Sequence, residues 1–577
     1  MLTDLLKDTT ETKIEQIGLI PLLLEVINRI GLISLIDEHY KSHGNWQGAS
    51  KGLVTAVWLC YIISKCDHRI SQVEDWVKKR EQSINGYLSK WGYKIESKDF
   101  TDDRLVLLLE EYSQQDKWEK LECQINKKVI RIYDLKSKVI QLDATIGKSF
   151  KKVIKDGLFQ YGHSKHFRSD LPQFKTMMAN LEGIDLPLCS ITVSGERSDD
   201  ELYLPMIAIA KKSFEKNGLL FEGDSKLSSL KNRTQISKQK DYYLCPLSKK
   251  QISEKQLAKK YIEPILKEQR ALESIKRKDK LIAVGYEVSK TCHNGSYNWS
   301  ERQLIVRSES YAKAQEQSLT NRLGKAGQEL ASLNDRKQGK KVFKKASDLK
   351  KACKAIELKY EVKGLLAIDC RITYEKKKIR AYKDKPERIE RKMNYSVIVS
   401  KKQSAIEHKK QLLGWRVYVT NQPKEELPLK KAINLYREEY RIERRIRNLK
   451  EEVTALLPVF LKKDNRISAL INVLILVLKV ISLIEYDIAK GLKAANKELA
   501  GLYAGNPTIS TANPTIGKIV EAFNDFSVTL VNVKTTGSQL VLMPQLSITQ
   551  QSIIELLGFS PDIFYRLKNH KTIFNST

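Results

Sequence analysis

The sequence predicts an α/β protein that contains more than one domain. In the first 130 residues, apolar positions recur at spacings of three and four, as in IGLIPLLLEVINRIGLISLIDEHY and LVTAVWLCYIISKC, which is the pattern of amphipathic helices. From Lys138 onward, the β-branched run KVIQLDATI and the similarly short segments LCSITVSG and GLLFEGDS indicate strands. The chain has 577 residues, and since a domain typically has about 150 residues, we expect roughly two to four domains.

The charge of the chain points to a polyanionic partner. Lys and Arg number 101 against 69 Asp and Glu, which gives a formal net charge of +32. Such an excess costs self-repulsion unless a polyanion is nearby, so nucleic acid is the first partner to expect. A merely basic protein, or a ribosome-associated factor, is the alternative that charge alone leaves open.

Neither the cysteines nor the N-terminus suggests an exported protein. The eight cysteines include no Cys-x-x-Cys pair and no histidine at zinc-finger spacing, so neither a disulfide framework nor a structural zinc is indicated. The segment MLTDLLKDTTETKIEQ opens with acidic residues and lacks the basic-then-apolar pattern of a signal peptide. We therefore expect a cytoplasmic protein with reduced thiols.

One apolar segment is about long enough to cross a membrane. The run ISALINVLILVLKVISLI, from Ile467 to Ile484, contains Asn472 and Lys479 and follows basic helical sequence. A helix that is apolar on nearly all sides is equally typical of the core of a large protein. Because the chain is otherwise rich in charge, the sequence favours a buried core helix, and no membrane partner is expected.

The middle of the chain combines strand-like runs with a long charged helical stretch. Between Asp241 and Asn421 the strand-like runs are DYYLCPLS, LIAVGYEVSKT, ERQLIVRS, GLLAIDCRITY, YSVIVS and GWRVYVTN. The stretch from Tyr311 to Tyr360 is rich in Lys, Gln and Glu, which predicts a solvated helical hairpin. A position along a phosphate backbone is the alternative for this stretch.

Three acidic residues suit a metal-dependent reaction on phosphodiesters. Asp143 ends the strand-like run VIQLD, Asp224 ends LLFEGD, and Glu443 lies in the helical segment YRIERR. Carboxylates are natural ligands of Mg²⁺, and two hard cations can activate the attacking oxygen and stabilise the leaving one. The long interval between Asp224 and Glu443 requires an inserted domain. Each acid alone is more often a turn or helix cap, so their order carries the prediction.

Several motifs around these acids resemble one family of proteins. The segment YREEYRIERRIRNLK places Tyr436, Glu443 and Lys450 at the spacing of a Tyr-x2-Arg-x3-Glu-x6-Lys signature, and GWRVYVTN precedes it. The segment YGHSKHFRSDLPQF follows the first Asp, and GDSKLSSLKNR surrounds the second. Together they resemble the DDE-class bacterial insertion-sequence transposases, from Asp143 to about Leu492.

The resemblance implies a fold and a division into domains. The fold is α/β, with a ribonuclease H-like catalytic core that is interrupted by a β-rich insertion and preceded by a helical N-terminal domain. The implied boundaries are 1–130 for the helical domain that binds DNA ends, 131–245 for the first part of the core, 246–405 for the β-rich insertion with the helical hairpin, 406–500 for the second part of the core with the Glu443 helix, and 501–577 for a C-terminal tail to which a role in dimerisation is open.

The same resemblance implies an activity and its partners. Asp143, Asp224 and Glu443 would be the catalytic residues and the ligands of two Mg²⁺ or Mn²⁺ ions. The enzyme would cleave double-stranded DNA at inverted-repeat ends and transfer the freed strands into target DNA. It would act as a homodimer in a synaptic complex, in the bacterial cytoplasm and associated with the nucleoid.

Four residues are the expected DNA contacts. Tyr436, Glu443 and Lys450 recur every seven residues, which predicts one shared helix face, and Tyr436 and Lys450 would meet DNA phosphates. Trp299, at the head of the run WSERQLIVRS, would stack an unpaired base, with a core position as the alternative. Arg437 is the fourth expected contact.

One position departs from the family signature. Where the family has Arg, this chain has Glu439, flanked by Arg437 and Arg441. One flanking arginine would have to take the missing place at a DNA phosphate. If neither does, the chain would be a catalytically inactive DNA-binding relic of the same fold. A different metal nuclease, such as a Holliday-junction or RNA–DNA hybrid hydrolase, is the third hypothesis, which the large insertion disfavours.

Overall fold

The computed structural model describes residues 9–163, 168–215, 217–269, 271–335, 343–381, 386–503, 505–506, 508–533 and 539–567. The chain forms two compact units, one from Met1–Tyr243 with Arg437–Thr577 and the other from Leu244–Tyr436. Both units contain helices and strands, which confirms the α/β class. The domain boundaries and roles implied by the sequence stay predictions. Residues 164–167 of the segment YGHSKHFRSDLPQF lie outside the described residues.

In the part of the first unit that the structure describes, one strand is followed by seven helices. Strand β1 (Thr9–Gln16) pairs antiparallel with a strand near the C-terminus, where the sequence predicts only helix. A lone strand whose partner is distant in sequence leaves little local signal. The helices are α1 (Ile20–Arg29), α2 (Leu32–His39), α3 (Lys51–Lys65), α4 (Val73–Lys78), α5 (Glu81–Leu88), α6 (Asp102–Tyr112) and α7 (Gln115–Ile132).

A mixed sheet in the first unit carries the two predicted aspartates. Its strands are β2 (Val139–Lys148), β3 (Gln173–Leu181), β4 (Leu186–Ser194) and β5 (Leu220–Gly223), in the order β4-β3-β2-β5. β2 and β5 run parallel, whereas β3 pairs antiparallel with both β2 and β4. The remaining elements of this region are α8 (Asp199–Lys211), α9 (Leu230–Lys238) and the start of β6 (Tyr242–Pro246).

The second unit is rich in strands and contains a helical pair. In chain order its elements are α10 (Glu254–Leu257), α11 (Glu263–Lys267), β7 (Glu273–Arg277), β8 (Lys280–Asn294), β9 (Tyr297–Ser308), α12 (Glu309–Ser332), α13 (Ala346–Lys359), β10 (Leu366–Ile379), β11 (Arg388–Lys401), α14 (Gln403–Gln411), β12 (Trp415–Thr420) and α15 (Leu429–Tyr436). The end of β6 pairs with β12, and antiparallel pairing continues through β9 and β8 to β7. β10 and β11 form a separate two-stranded ribbon. Helices α12 and α13 occupy the stretch that the sequence predicts as a helical hairpin.

The C-terminal part of the chain belongs to the first unit. It begins with α16 (Tyr440–Arg447) and the π-helical turn Asn448–Glu452. The later elements are α17 (Asp464–Ala494), β13 (Leu499–Ala500), β14 (Ser510–Thr511), α18 (Ile516–Ala522), β15 (Ser527–Val533), β16 (Gln539–Leu542), α19 (Ile548–Leu556) and α20 (Asp562–Tyr565). β15 lies between β1 and β16 in a three-stranded sheet, so an N-terminal strand and two C-terminal strands belong to the same sheet.

Helix α17 forms the core of the first unit. Among the described helices it is the one that is long and apolar enough to cross a membrane, and 94% of its most apolar window is buried within the protein. It packs against β4, α6, α3, α1 and α19. The prediction of a buried core helix is confirmed. Lys479 is buried within it and donates to Asn126 Oδ1 at 2.8 Å and to the backbone oxygens of Pro187 and Leu188 at 2.5 and 2.7 Å.

Candidate functional site

Asp143 and Asp224 lie next to each other on neighbouring parallel strands. The register pairs Leu142 of β2 with Gly223 of β5, and each aspartate follows directly after its member of this pair. Because the two strands run in the same direction, both carboxylates lie at the carboxyl end of β5. β2 itself continues along β3 to Lys148, so Asp143 marks the point where β2 loses its β5 neighbour, and the predicted strand end at Asp143 is wrong.

The Asp224 carboxylate is fixed in place by a buried tyrosine. Tyr203 of α8 donates its hydroxyl to Asp224 Oδ1 at 2.7 Å, and the backbone N–H of Lys226 donates to the same oxygen at 2.8 Å. Burial raises the pKa of Tyr203 well above its usual range, and the negative charges of Asp224 and Asp143 raise it further. The tyrosine therefore stays protonated and acts as a donor to the carboxylate.

Two further polar side chains precede the aspartates on the same strands. Gln141 and Glu222 face each other in the β2–β5 register, each two residues before its aspartate and so on the same face of the sheet. Gln141 Nε2 donates to Glu222 Oε2 at 3.3 Å. Burial raises the pKa of Glu222 well above its usual range, and the nearby charge of Glu439 adds to that rise. In the sequence, a polar residue stands two positions before each aspartate, and this pattern could have identified Gln141 and Glu222.

Glu443 lies on the exposed side of α16. This helix packs against β2, and its buried residues are Ile442, Arg445 and Ile446. Glu443 itself is exposed, and its backbone N–H donates to the carbonyl oxygen of Glu439 at 3.3 Å. The elements that carry the three predicted acids therefore meet in one unit, while the Glu443 side chain faces solvent.

Three arginines set the orientation of α16. Arg441 forms an ion pair with Asp185 at 3.3 Å. Arg444 and Arg445 form ion pairs with Glu485 of α17 at 3.0 and 2.9 Å. Because these side chains turn toward the two acids, the adjacent position 443 is left on the opposite, solvent-facing side of the helix.

The prediction of one helix from Tyr436 to Lys450 is wrong. Helix α15 ends at Tyr436, a turn follows, and α16 begins at Tyr440. Lys450 lies in the π-helical turn Asn448–Glu452, which changes the number of residues per turn. A seven-residue spacing therefore does not place the three signature residues on one helical face here. Arg437, between the two helices, is half-buried.

Two predicted DNA-contacting rings lie in the interior of the second unit. Tyr436 is 8% exposed, and its ring packs edge-on against Tyr418 with a centroid distance of 4.8 Å. Trp299 is 7% exposed and stacks on Tyr297 with a centroid distance of 5.8 Å. The position of Trp299 matches the alternative of a core tryptophan, because a ring that stacks a base needs an accessible face.

The donor set at the two aspartates suits a hard cation. Mg²⁺ is bound in many proteins by one or two carboxylates, with water and substrate phosphates as its other ligands, and Asp143 and Asp224 supply such a pair. Among the described residues, no group of three or more His, Cys, Asp or Glu side chains is arranged to hold a metal ion. The role of Glu443 as the third acid stays a prediction.

Comparisons with known proteins leave the family open. No family model matches the chain, and no curated protein matches it. Among solved structures, the chain is similar to a cryo-EM structure of piggyBac transposase in a synaptic complex with hairpin DNA, at 12% identity and a TM-score of 0.22. The match covers 52% of this chain and 61% of that chain. A transposase is thus among the structural neighbours of this chain.

Proposed function

We propose that this chain is a DDE transposase that cleaves double-stranded DNA at the inverted-repeat ends of its own element and joins them to target DNA. The observation that carries the proposal is the β2–β5 register, which sets Asp143 and Asp224 side by side at one end of a parallel strand pair. The signature residues quoted from the sequence add Glu443 as the third acid. The proposal includes a homodimer that bridges two ends, acting in the cytoplasm on nucleoid DNA.

In this proposal Asp143, Asp224 and Glu443 would hold two Mg²⁺ or Mn²⁺ ions at a scissile phosphate. Asp143 and Asp224 would hold the metal, and a bound cation would supply the charge that activates the attacking oxygen and stabilises the leaving one. Tyr203 keeps the Asp224 carboxylate in one orientation through its hydroxyl. Carboxylates repel one another when no cation lies between them, so we expect Glu443 to approach the two aspartates only when metal and DNA are bound.

The experiment is a cleavage assay with the full chain. Labelled duplexes that carry the terminal repeats flanking its gene are incubated in Mg²⁺, and the products are resolved on a denaturing gel. We expect nicks or hairpins at the repeat boundary that disappear with EDTA. Asp224→Asn should lower cleavage at least roughly a hundredfold, because it removes a metal ligand. The control Asp116→Asn, at an exposed carboxylate of α7, should cleave normally, and undiminished cleavage by Asp224→Asn would overturn the assignment.

An inactive DNA-binding relic is the second candidate. Glu439 stands where the family signature has Arg, and the flanking Arg441 is already engaged by Asp185 at 3.3 Å and by Glu438 at 3.1 Å. A phosphate contact from Arg441 would break these ion pairs. In the same assay the relic would bind the repeats with a steep salt dependence and leave them uncut in both Mg²⁺ and Mn²⁺.

A further inference from the structure

The ribbon formed by β10 and β11 is long for a two-stranded element. Its register is continuous from the pair Leu366–Lys401 to the pair Ile379–Arg388, without a bulge. At about 3.3 Å per residue, strands of this length extend roughly 45 Å. A two-stranded ribbon alone is marginally stable in water, so its outer part depends on contacts beyond its own backbone pairing.

Within the described residues, the ribbon is anchored by the end at which β10 begins and β11 ends. Leu366, Tyr395 and Val397 are buried in a hydrophobic cluster with residues of α12 and α13. Farther along the same face, Ile372 is 44% exposed and Tyr374 is 64% exposed. From Arg371 to Lys378, every side chain of β10 is exposed. The apolar stripe that packs on the helices thus continues outward onto a surface that the second unit leaves open to solvent.

Beyond this stripe the ribbon becomes strongly basic. Lys376 and Lys378 continue the face of Tyr374, because side chains two residues apart share a face. Lys378 forms an exposed ion pair with Glu387 at 2.6 Å, which stabilises little in water. The outer part of the ribbon is the part beyond the pair Thr373–Asn394. Among its described residues, the exposed acidic side chains are Glu375 and Glu387, and the exposed basic side chains are Lys376, Lys377, Lys378, Arg380 and Arg388.

We infer that the outer half of the β10–β11 ribbon is an arm that lies in a groove of duplex DNA. The major groove is about 12 Å wide and admits a two-stranded ribbon. Lys376 and Lys378 meet phosphates, and Tyr374 with its cross-strand neighbour Met393 contacts sugar and base edges. A second copy of the chain fits less well, because both copies carry a net charge of +32.

This inference deepens the proposed function by assigning a surface for its DNA partner, and its test does not depend on cleavage. Binding of the full chain to a 30-base-pair duplex, a length of roughly three helical turns, is followed by fluorescence anisotropy in EDTA at several salt concentrations. Lys376→Gln/Lys378→Gln should raise Kd roughly tenfold and reduce the salt slope by about 2, because two phosphate contacts are lost. The control Lys255→Gln/Lys259→Gln removes the same charge from exposed positions in the helical segment that starts with α10 and should leave the slope unchanged.

A variant that leaves the charge unchanged tests whether the ribbon touches DNA directly or only attracts it through its net charge. Tyr374→Ala should weaken binding roughly fivefold at an unchanged salt slope, while Tyr374→Phe should bind nearly as the wild type does. Equal effects of the two lysine pairs, or no effect of Lys376→Gln/Lys378→Gln, would overturn the inference. So would a change in oligomeric state of the ribbon variants at constant DNA affinity. Asp224→Asn retains binding in EDTA whether or not the chain cleaves, so the two proposals fail separately.

Discussion

Replacing the buried lysine of the core helix should destabilise the first unit strongly. Lys479 lies inside α17 and donates three hydrogen bonds, to Asn126 Oδ1 and to the backbone oxygens of Pro187 and Leu188. The carboxylate of Glu122 lies 3.5 Å from its ammonium group. Lys479→Met has a similar volume and no donor, so it removes the charge and leaves all of these acceptors without that partner.

The magnitude follows from the acceptors that lose their donor. A buried polar group left without a partner costs about 1–3 kcal/mol, and breaking a buried ion pair by removing one member costs about 3–5 kcal/mol. Because these costs overlap, we expect the free energy of opening α17 to fall by about 3–5 kcal/mol. Hydrogen exchange of α17 amides, measured by mass spectrometry, should then accelerate by roughly a hundredfold or more.

Two variants make this prediction specific. Lys493→Met, at an exposed position of the same helix, should leave the exchange of α17 unchanged. The double variant Glu122→Gln/Lys479→Met should exchange more slowly than Lys479→Met alone, because it no longer buries an unpaired carboxylate. Exchange in Lys479→Met that stays within roughly fivefold of the wild type would refute the role assigned to these hydrogen bonds.

Three further predictions concern pH, packing and the candidate site. Burial raises the pKa of Glu122 from 4.5 to about 7. A carboxyl with a raised pKa in the folded state stabilises that state below pH 4.5, and this contribution is lost as the pH rises to 7. The free energy of unfolding measured in urea should therefore fall over this pH range, and Glu122→Gln should make the fall smaller. Gly52→Ala places a Cβ 2.2 Å from the carbonyl oxygen of Ile33 and should lower the free energy of unfolding by about 1–3 kcal/mol. The melting temperature should fall accordingly, and an unchanged melting temperature would contradict this packing. Tyr203→Phe removes the hydroxyl that orients Asp224 and should slow DNA cleavage roughly tenfold while leaving DNA affinity intact.

For the core helix, the hydropathy of the sequence predicts the helix and its burial but not its polar contacts. The apolar run predicts a long buried helix, and α17 is one. The run also contains Lys479, and the sequence gives no sign of the groups that satisfy it. Those groups come from α7 and from the start of β4, and only the tertiary structure brings them together.

The candidate site was predictable from sequence in its strands and unpredictable in its helix. Asp143 and Asp224 follow short strand-like runs, and the parallel pairing of those runs brings the acids together. The orientation of Glu443 depends instead on ion pairs between α16 and the acids Asp185 and Glu485. These partners are distant in sequence, so a seven-residue period cannot reveal them.

Burial explains the other differences from the sequence-based expectations. Trp299 and Tyr436 match aromatic positions that a family resemblance assigns to DNA, yet both pack against neighbouring tyrosines. The sequence shows that an aromatic residue stands at a position, but it does not show which face of the ring is covered by neighbouring side chains. Gln141 and Glu222 illustrate the reverse, because their position two residues before each aspartate was visible in the sequence.

Metal binding at the two aspartates is the central claim, and iron-directed cleavage tests it most directly. Fe²⁺ replaces Mg²⁺ at carboxylate sites, and with ascorbate and hydrogen peroxide the bound iron generates radicals that cut the polypeptide nearby. We expect cuts next to Asp143 and Asp224, with an added cut near Glu443 once repeat DNA is bound, and none of them in Asp143→Asn/Asp224→Asn. Cuts that persist in that double variant, or wild-type protein that is not cut at either aspartate, would contradict the claim.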